Sequence, residues 1–276
     1  MTQHSTLTAV IHGESGGGKS FLLDTAPAPR LILDAEGGSE FTPSWPKVLW
    51  NPNVYAPPGV QGCEPGQEQV TETTRVIVRD WLTLTRVSQW LESGRHHFVT
   101  AGFDSITEIQ KRCRDNIRGT EQMQTQHWGA LLIEMEALVR RMRDCTMDPS
   151  NHLQNVVILA LTDDKSGVYR PLIQGALQKS LPGFVHIVGY LYAEMAEGGI
   201  QRKMLIQPIG QFVAKDRTHI VTRTLGPVVP IRDADTGVGG YGLADLISIM
   251  DMRYAQQQQQ PAAPAAPPQP QYGGMA

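Results

Sequence analysis

The octet GESGGGKS at residues 13–20 constrains this chain more than any other stretch. It fits the spacing G-x-x-x-x-G-K-[ST], and the apolar LTAVIH before it and KSFLLDTA after it set it between a strand and a helix. Glycines there let backbone N–H groups curl inward around an anion, where a Cβ would obstruct. The first turn of the following helix adds unsatisfied donors and a partial positive charge. The spacing therefore predicts a phosphate loop formed by Gly13, Glu14, Ser15, Gly16, Gly17, Gly18, Lys19, Ser20 and Phe21. Lys19 would reach the β- and γ-phosphates of ATP, and the Ser20 hydroxyl would ligate Mg²⁺. A glycine-rich turn of no further consequence is the alternative, and it needs both the pattern and its setting to coincide by chance.

Such a loop belongs in an α/β fold, and the rest of the chain reads that way. Apolar runs of strand length occur at 7–11, 30–34, 75–79, 97–104 and 155–162, each rich in β-branched or aromatic residues. Between them lie helical patterns, clearest at 129–143, where Leu131, Met135, Leu138 and Met142 repeat at helical spacing beside Leu132 and Val139. Arg140, Arg141 and Arg143 beside that stripe read as a solvated face. Alternating strands and helices predict a mostly parallel twisted sheet flanked by helices on both faces. After residue 180, HIVGYLYAEM and RKMLIQPI read as an antiparallel hairpin extending that sheet.

Two segments differ in texture. Residues 41–68 are rich in Pro and Gly, with Trp45, Trp50 and Tyr55 scattered among them. An insertion that long inside a compact domain is expected to be functional or mobile. Residues 254–276 are rich in Gln, Pro and Ala and lack the large apolar side chains that offset ordering entropy, so a disordered tail is expected. The core would then span residues 1–253. Net charge is −3, so any surface for a polyanion must be local. Three cysteines with no paired spacing fit free thiols in a reducing cytosol. No signal peptide and no run of apolar residues long enough for a membrane span is visible, so a soluble, cytoplasmic chain is expected.

A phosphate loop needs a metal-side carboxylate at the end of a neighbouring strand. HHFVTAGFDSIT supplies Asp104. His96 and His97 at that strand's start have no Cys or acidic partners at metal spacing and read as surface residues. In many hexameric ATPases a glutamate that orients the attacking water directly follows the metal aspartate. Here Ser105 does. Glu36, in LILDAEGG after the second strand, is the replacement, well placed if strand two lies near strand one.

These motifs taken in order resemble the RecA-like recombinase ATPases over about residues 5–225. Glu36 matches that family's catalytic glutamate, and FDS at 103–105 its metal-binding strand end. VVILALT at 156–162 matches the strand whose last residue, here Thr162, senses the γ-phosphate. FVAKDR at 212–217 matches the strand whose basic residues, here Lys215 and Arg217, reach the neighbouring subunit's ATP. TQHWG at 125–129 resembles the entry to the family's long helix. The likeness is closest to small phage-encoded members that act as single-strand DNA annealing ATPases. It implies ATP hydrolysis at subunit interfaces of a ring or short filament, in the cytoplasm of a bacterial host if the chain is phage-encoded. With the phosphate loop starting at residue 13, no room is expected for the N-terminal segment through which larger recombinases polymerise. Thr162 is shorter than the glutamine of the bacterial recombinase, so its coupling of ATP to DNA is expected to differ.

The resemblance puts DNA on two segments. One is KRCRDNIR at 111–118, with Lys111, Arg112, Arg114 and Arg118. The other is 163–180, with Lys165, Tyr169, Arg170 and Lys179. Cations beside an aromatic suit a sequence-indifferent single strand, whose phosphates pair with Lys and Arg while a base stacks on Tyr. Charge runs are also common as plain solvated faces. A RecA-fold helicase, packaging motor or loading ATPase shares the same motifs. A small-molecule kinase would need an arginine-rich lid for which no segment stands out. The tail could instead dock a single-strand-binding protein or another replication partner.

Overall fold

The computed structural model describes residues 6–44, 47–165, 167–197, 199–233 and 236–259. The N-terminal half runs β1 (Leu7–Gly13), α1 (Lys19–Asp24), β2 (Arg30–Asp34), a 3-10 turn (Gly38–Phe41), β3 (Lys47–Leu49) and β4 (Thr73–Ile77). Next come α2 (Trp81–Glu92), β5 (Thr100–Asp104), α3 (Ile106–Arg118), α4 (Thr125–Met147) and β6 (Asn155–Asp163). Then follow β7 (Arg170–Pro171), α5 (Leu177–Phe184), β8 (Ile187–Ala196) and β9 (Gly199–Leu205). The described part ends with β10 (Lys215–Asp216), α6 (Ile220–Leu225), β11 (Val228–Ile231) and α7 (Leu243–Gln259).

Among the described residues these strands form one sheet in the order β11-β9-β8-β1-β6-β5-β2-β4-β3. From β8 to β3 every pairing is parallel. The β8–β9 hairpin and β11 then extend it antiparallel, as the sequence predicts. β10 pairs with the start of β8, so β8 shares its outer edge between β10 and β9. The result is an α/β fold with a mostly parallel core and an antiparallel C-terminal extension.

The helices sort onto two faces because strand side chains alternate. In β6, Val156, Ile158 and Ala160 point into one apolar cluster, and Val157 and Leu159 into the other. The first cluster takes residues of α2, α3, α4 and α5; the second takes those of α1, α6 and α7. Leu131, Met135, Leu138 and Met142 of α4 are all buried, so the stripe read from the sequence is core. The helix begins at Thr125, so TQHWG is its first turn rather than a lead-in, capped by Gln124 and His127.

Strand two is not beside strand one. β6 and β5 separate β2 from β1, and the Glu36 segment approaches from the far side of the Asp104 strand. The 41–68 segment is anchored: β3 adds an edge strand, and Trp50 is 1% exposed, with Nε1 donating to the Tyr55 carbonyl at 3.0 Å. Residues 254–259, expected in the disordered tail, continue α7 instead; Trp45 and residues 260–276 lie outside the described residues. Among the described residues no helix is long and apolar enough to cross a membrane.

Candidate active site

The C-terminal ends of β1, β5 and β2 bring the sequence-predicted residues of the site together. β1 ends at Gly13, where a Cβ would lie 2.4 Å from the Leu191 carbonyl oxygen of β8, so the loop must begin with glycine. Gly18 has φ +91° and caps α1, opening the turn that aims the loop amides inward. Lys19 is 7% exposed, and its ammonium donates to the carbonyls of Gly13 (3.0 Å) and Glu14 (2.7 Å). Burial lowers its pKa from the ordinary value, against the pull of Glu36, Asp104 and Glu14. That ammonium lies along the rim of the loop, where a phosphate oxygen can take over from a carbonyl.

Ser20 Oγ donates to Asp104 Oδ2 at 2.6 Å. Asp104 is 2% exposed, and burial pushes its carboxyl up to about 6, with Asp34 and Glu36 adding to the rise against the Ser20 hydrogen bond. A Cβ on Gly38 would sit 3.3 Å from Ser20 Oγ and 3.9 Å from Asp104 Oδ2, so the glycine keeps clear space at this pair. A hydroxyl and a carboxylate with room beside them suit Mg²⁺, which prefers oxygen donors and keeps several waters and phosphate oxygens. Among the described residues no cluster of three or more His, Cys, Asp or Glu builds an all-protein metal cage. A site that shares its metal with substrate phosphates needs none.

Glu36 is held over this pair by residues the sequence reading did not assign. Asp34 ends β2 fully buried and accepts the backbone N–H groups of Glu36 (3.1 Å), Gly37 (2.5 Å) and Ser39 (3.2 Å). It also accepts the Ser39 hydroxyl and pairs with Arg75 Nε at 3.0 Å. Ala35 N–H donates to the Asp104 carbonyl at 2.7 Å, tying the loop to β5. Glu36 is exposed, and its Oε1 accepts the Ser105 hydroxyl, which also caps α3. The carboxylate therefore stands one residue from Asp104, in the open mouth of the site.

The Thr162 hydroxyl bonds to His12 of β1. His12 Nε2 lies 2.8 Å from the Val213 carbonyl, which can only accept, so Nε2 carries the proton. Burial holds the imidazole neutral, with its pKa down at about 4. Nδ1 is then an acceptor, and the Thr162 hydroxyl 3.1 Å away donates to it. The hydroxyl proton a γ-phosphate sensor would offer is committed to His12, directly behind the phosphate loop.

Lys215 and Arg217 lie down the sheet from their own loop, away from the strand ends that carry it. Lys215 pairs with Val188 and Asp216 with Ile187, at the level of Val10 and Ala9 in β1. Lys215 donates to the Pro182 carbonyl and to that of Val185 (2.9 Å); Arg217, exposed, donates to the Gly183 carbonyl at 2.7 Å. Neither reaches the nucleotide site of its own chain.

The DNA candidates divide. Lys111, Arg112, Arg114 and Arg118 sit on α3, not on a loop, and all four pair with Glu108 or Asp115 between 2.8 and 3.2 Å. Helical spacing brings Glu108 to Lys111 and Arg112, and Asp115 to Arg118, while Asp115 directly follows Arg114. Lys165 and Lys179 are exposed, and Arg170 pairs with Asp163 at 3.4 Å. Tyr169 is no open stacking platform: its ring stacks on Phe212 at 4.6 Å, and Phe212 stacks on Tyr190 at 4.7 Å. His97 is exposed as expected, but His96 is buried at 2%, its Nε2 lying 3.1 Å from Asn151 Oδ1. Its ring stacks on Phe98, and burial takes its pKa down to about 4.

A lysine-tipped phosphate loop facing a buried aspartate across one intervening strand is the arrangement of a P-loop ATPase. The chain belongs to the AAA domain family, whose sequence profile matches residues 5–218. No curated protein sequence matches it. Among solved structures it is similar to the flagellar accessory protein FlaH from Methanocaldococcus jannaschii, at 8% identity and a TM-score of 0.43, over 86% of this chain and 90% of that one. A prototypical ATPase from the type III secretion system of pathogenic bacteria aligns at 15% identity and 0.45, over 78% of this chain and 58% of that one. The RadB recombinase aligns at 15% identity and 0.41, over 73% and 81%.

Proposed function

We propose that this chain is a Mg-ATP-dependent ATPase that acts on single-stranded DNA in annealing or recombination and hydrolyses ATP between subunits of an oligomer. The observation that carries the hydrolytic part is the convergence of Lys19, Ser20, Asp104 and Glu36 from three strand ends. Lys19 and the loop amides hold the phosphates; Ser20 and Asp104 would hold Mg²⁺, which neutralises phosphate charge. Glu36, open to solvent and fixed through Ser105, orients the attacking water and takes its proton. Lys215 and Arg217 are too far from their own loop, which supports the reading that they serve the ATP of an adjacent copy. A cation delivered so contributes roughly 10³–10⁵ in rate and ties hydrolysis to assembly.

For DNA, the exposed Lys165 and Lys179 on the segment after Thr162 support the reading better than the internally paired cations of α3. The test is the ATPase rate per subunit as a function of protein concentration, with and without a short oligonucleotide. The rate is expected to rise with both, and Arg217→Ala is expected to abolish the rise. A rate indifferent to both, with Arg217→Ala harmless, refutes the oligomeric, DNA-linked reading and leaves a monomeric ATPase.

A further inference from the structure

One arginine in contact with the phosphate loop has no part in the scheme above. Arg202 comes from β9 and lies against Gly18: a Cβ there would meet Arg202 Nε at 2.7 Å and Cδ at 2.9 Å. The third glycine of the run is thus required twice, by its positive φ and by this side chain. The Arg202 side chain is 18% exposed, and its only ion pair among the described residues is a long one, Nη1 to Asp233 Oδ2 at 3.6 Å. Its Nε is buried and finds no acceptor. Asp233 itself is fixed at the end of β11 by the N–H (2.8 Å) and hydroxyl (2.9 Å) of Thr236.

Arg202 thus sets a buried, unfilled donor against the glycine that precedes Lys19 in the loop. A buried donor without an acceptor is costly unless a ligand completes it, and beside a phosphate loop an anion does so. The strand order says which part of the anion. Asp104 and Glu36 stand on the β5–β2 side of β1, where the reacting phosphate must lie, whereas Arg202 comes from the β8–β9 side.

We infer that Arg202 is a nucleotide ligand supplied by this chain to its own phosphate loop, gripping the non-transferred phosphates of a nucleoside di- or triphosphate. This rests on the reading of residues 13–20 as a nucleotide site. Unlike Arg217, it acts without a second copy. It makes the site hold ADP as firmly as ATP in this region, so product stays bound when subunits separate.

The test is equilibrium binding of a fluorescent ADP to the full chain at low protein concentration, with ATP, ADP and AMP as competitors. Arg202→Met keeps the stem packed on Gly18 and removes the charge; Arg202→Lys keeps charge without the fork. Losing hydrogen bonds to a charged partner predicts about a 10-fold or greater fall in affinity for the Met variant, equal for ATP and ADP, and a smaller fall for Lys. The nucleotide-free melting temperature is expected to stay near wild type. ADP affinity unchanged in both variants overturns the inference, as does a loss confined to ATP, or a loss matched by a fall in nucleotide-free stability. Should the Met variant fail to fold, the Lys variant decides by the same comparison of ADP with ATP. If wild-type protein binds no ADP, the phosphate-loop reading itself fails; if it binds and the variants bind equally, only the role of Arg202 does.

Discussion

Asp104 offers the sharpest quantitative check on the site. Its carboxyl is buried without a paired cation, and its pKa stands at about 6 against an ordinary 3.8. The folded protein therefore holds this proton more tightly than the unfolded chain, and stability is lost as pH rises from about 4 through 6. About two units at 1.36 kcal/mol each give roughly 3 kcal/mol lost at pH 8. Asp104→Asn removes the charge and keeps an oxygen for the Ser20 hydroxyl, so it is expected to stabilise the metal-free protein. For a chain of this size that is roughly 5–10 °C in melting temperature at pH 8. The same relation roughly halves the gap at pH 5. Thermal denaturation of both proteins in chelator at the two pH values reads this directly. A variant no more stable than wild type at pH 8, or a gap that does not narrow at pH 5, refutes the placement of a destabilising carboxylate here. The same carboxylate must ionise to bind Mg²⁺, so metal affinity of the wild type is expected to weaken below about pH 6.

Glu36→Gln is expected to leave nucleotide binding intact and lower turnover by about 10²–10⁴, measured as phosphate release at saturating ATP; a drop in affinity with turnover intact would contradict it. Asp34→Ala leaves the largely buried Arg75 with its longer pair to exposed Glu40 and frees three backbone N–H groups, so a loss of about 3–5 kcal/mol is expected in urea unfolding, with turnover falling as Glu36 loses its anchor. A loss under about 1 kcal/mol would show that the loop is held otherwise. Trp50→Ala is expected to cost about 3–5 kcal/mol, because its ring is fully buried beside Phe98. An unchanged unfolding midpoint would mean that the 41–68 segment is not docked.

Much of this was legible in the sequence because its signals are local. The phosphate loop, the β5 strand ending in Asp104 and the apolar stripe of α4 each follow from spacing within a single element. The hairpin after residue 180 was equally readable, from two apolar runs and the turn between them. What failed depended on which elements lie side by side. Glu36 stands out in the sequence, but its approach beside β5 does not, since strand order is a long-range property and β2 lies beyond β6 and β5 from β1. Asp34 closes an apolar strand and could have been flagged as a buried anchor. The α3 cations looked available because their partners, Glu108 and Asp115, were not set on the helix at one-turn spacing. His96 was placed at the surface because nothing in its neighbours along the chain announces Asn151 or Phe98. Arg202 carried no signal at all; only the pairing of β9 with β8 brings it over Gly18.

The central claim is that the glycine-rich loop at residues 13–20 grips and helps cleave ATP. Phosphate release from Mg-ATP by wild-type protein and by Lys19→Ala, at equal concentration, tests it most directly. Steady turnover is expected for the wild type and none above background for the variant. Turnover that survives the loss of Lys19 would contradict it.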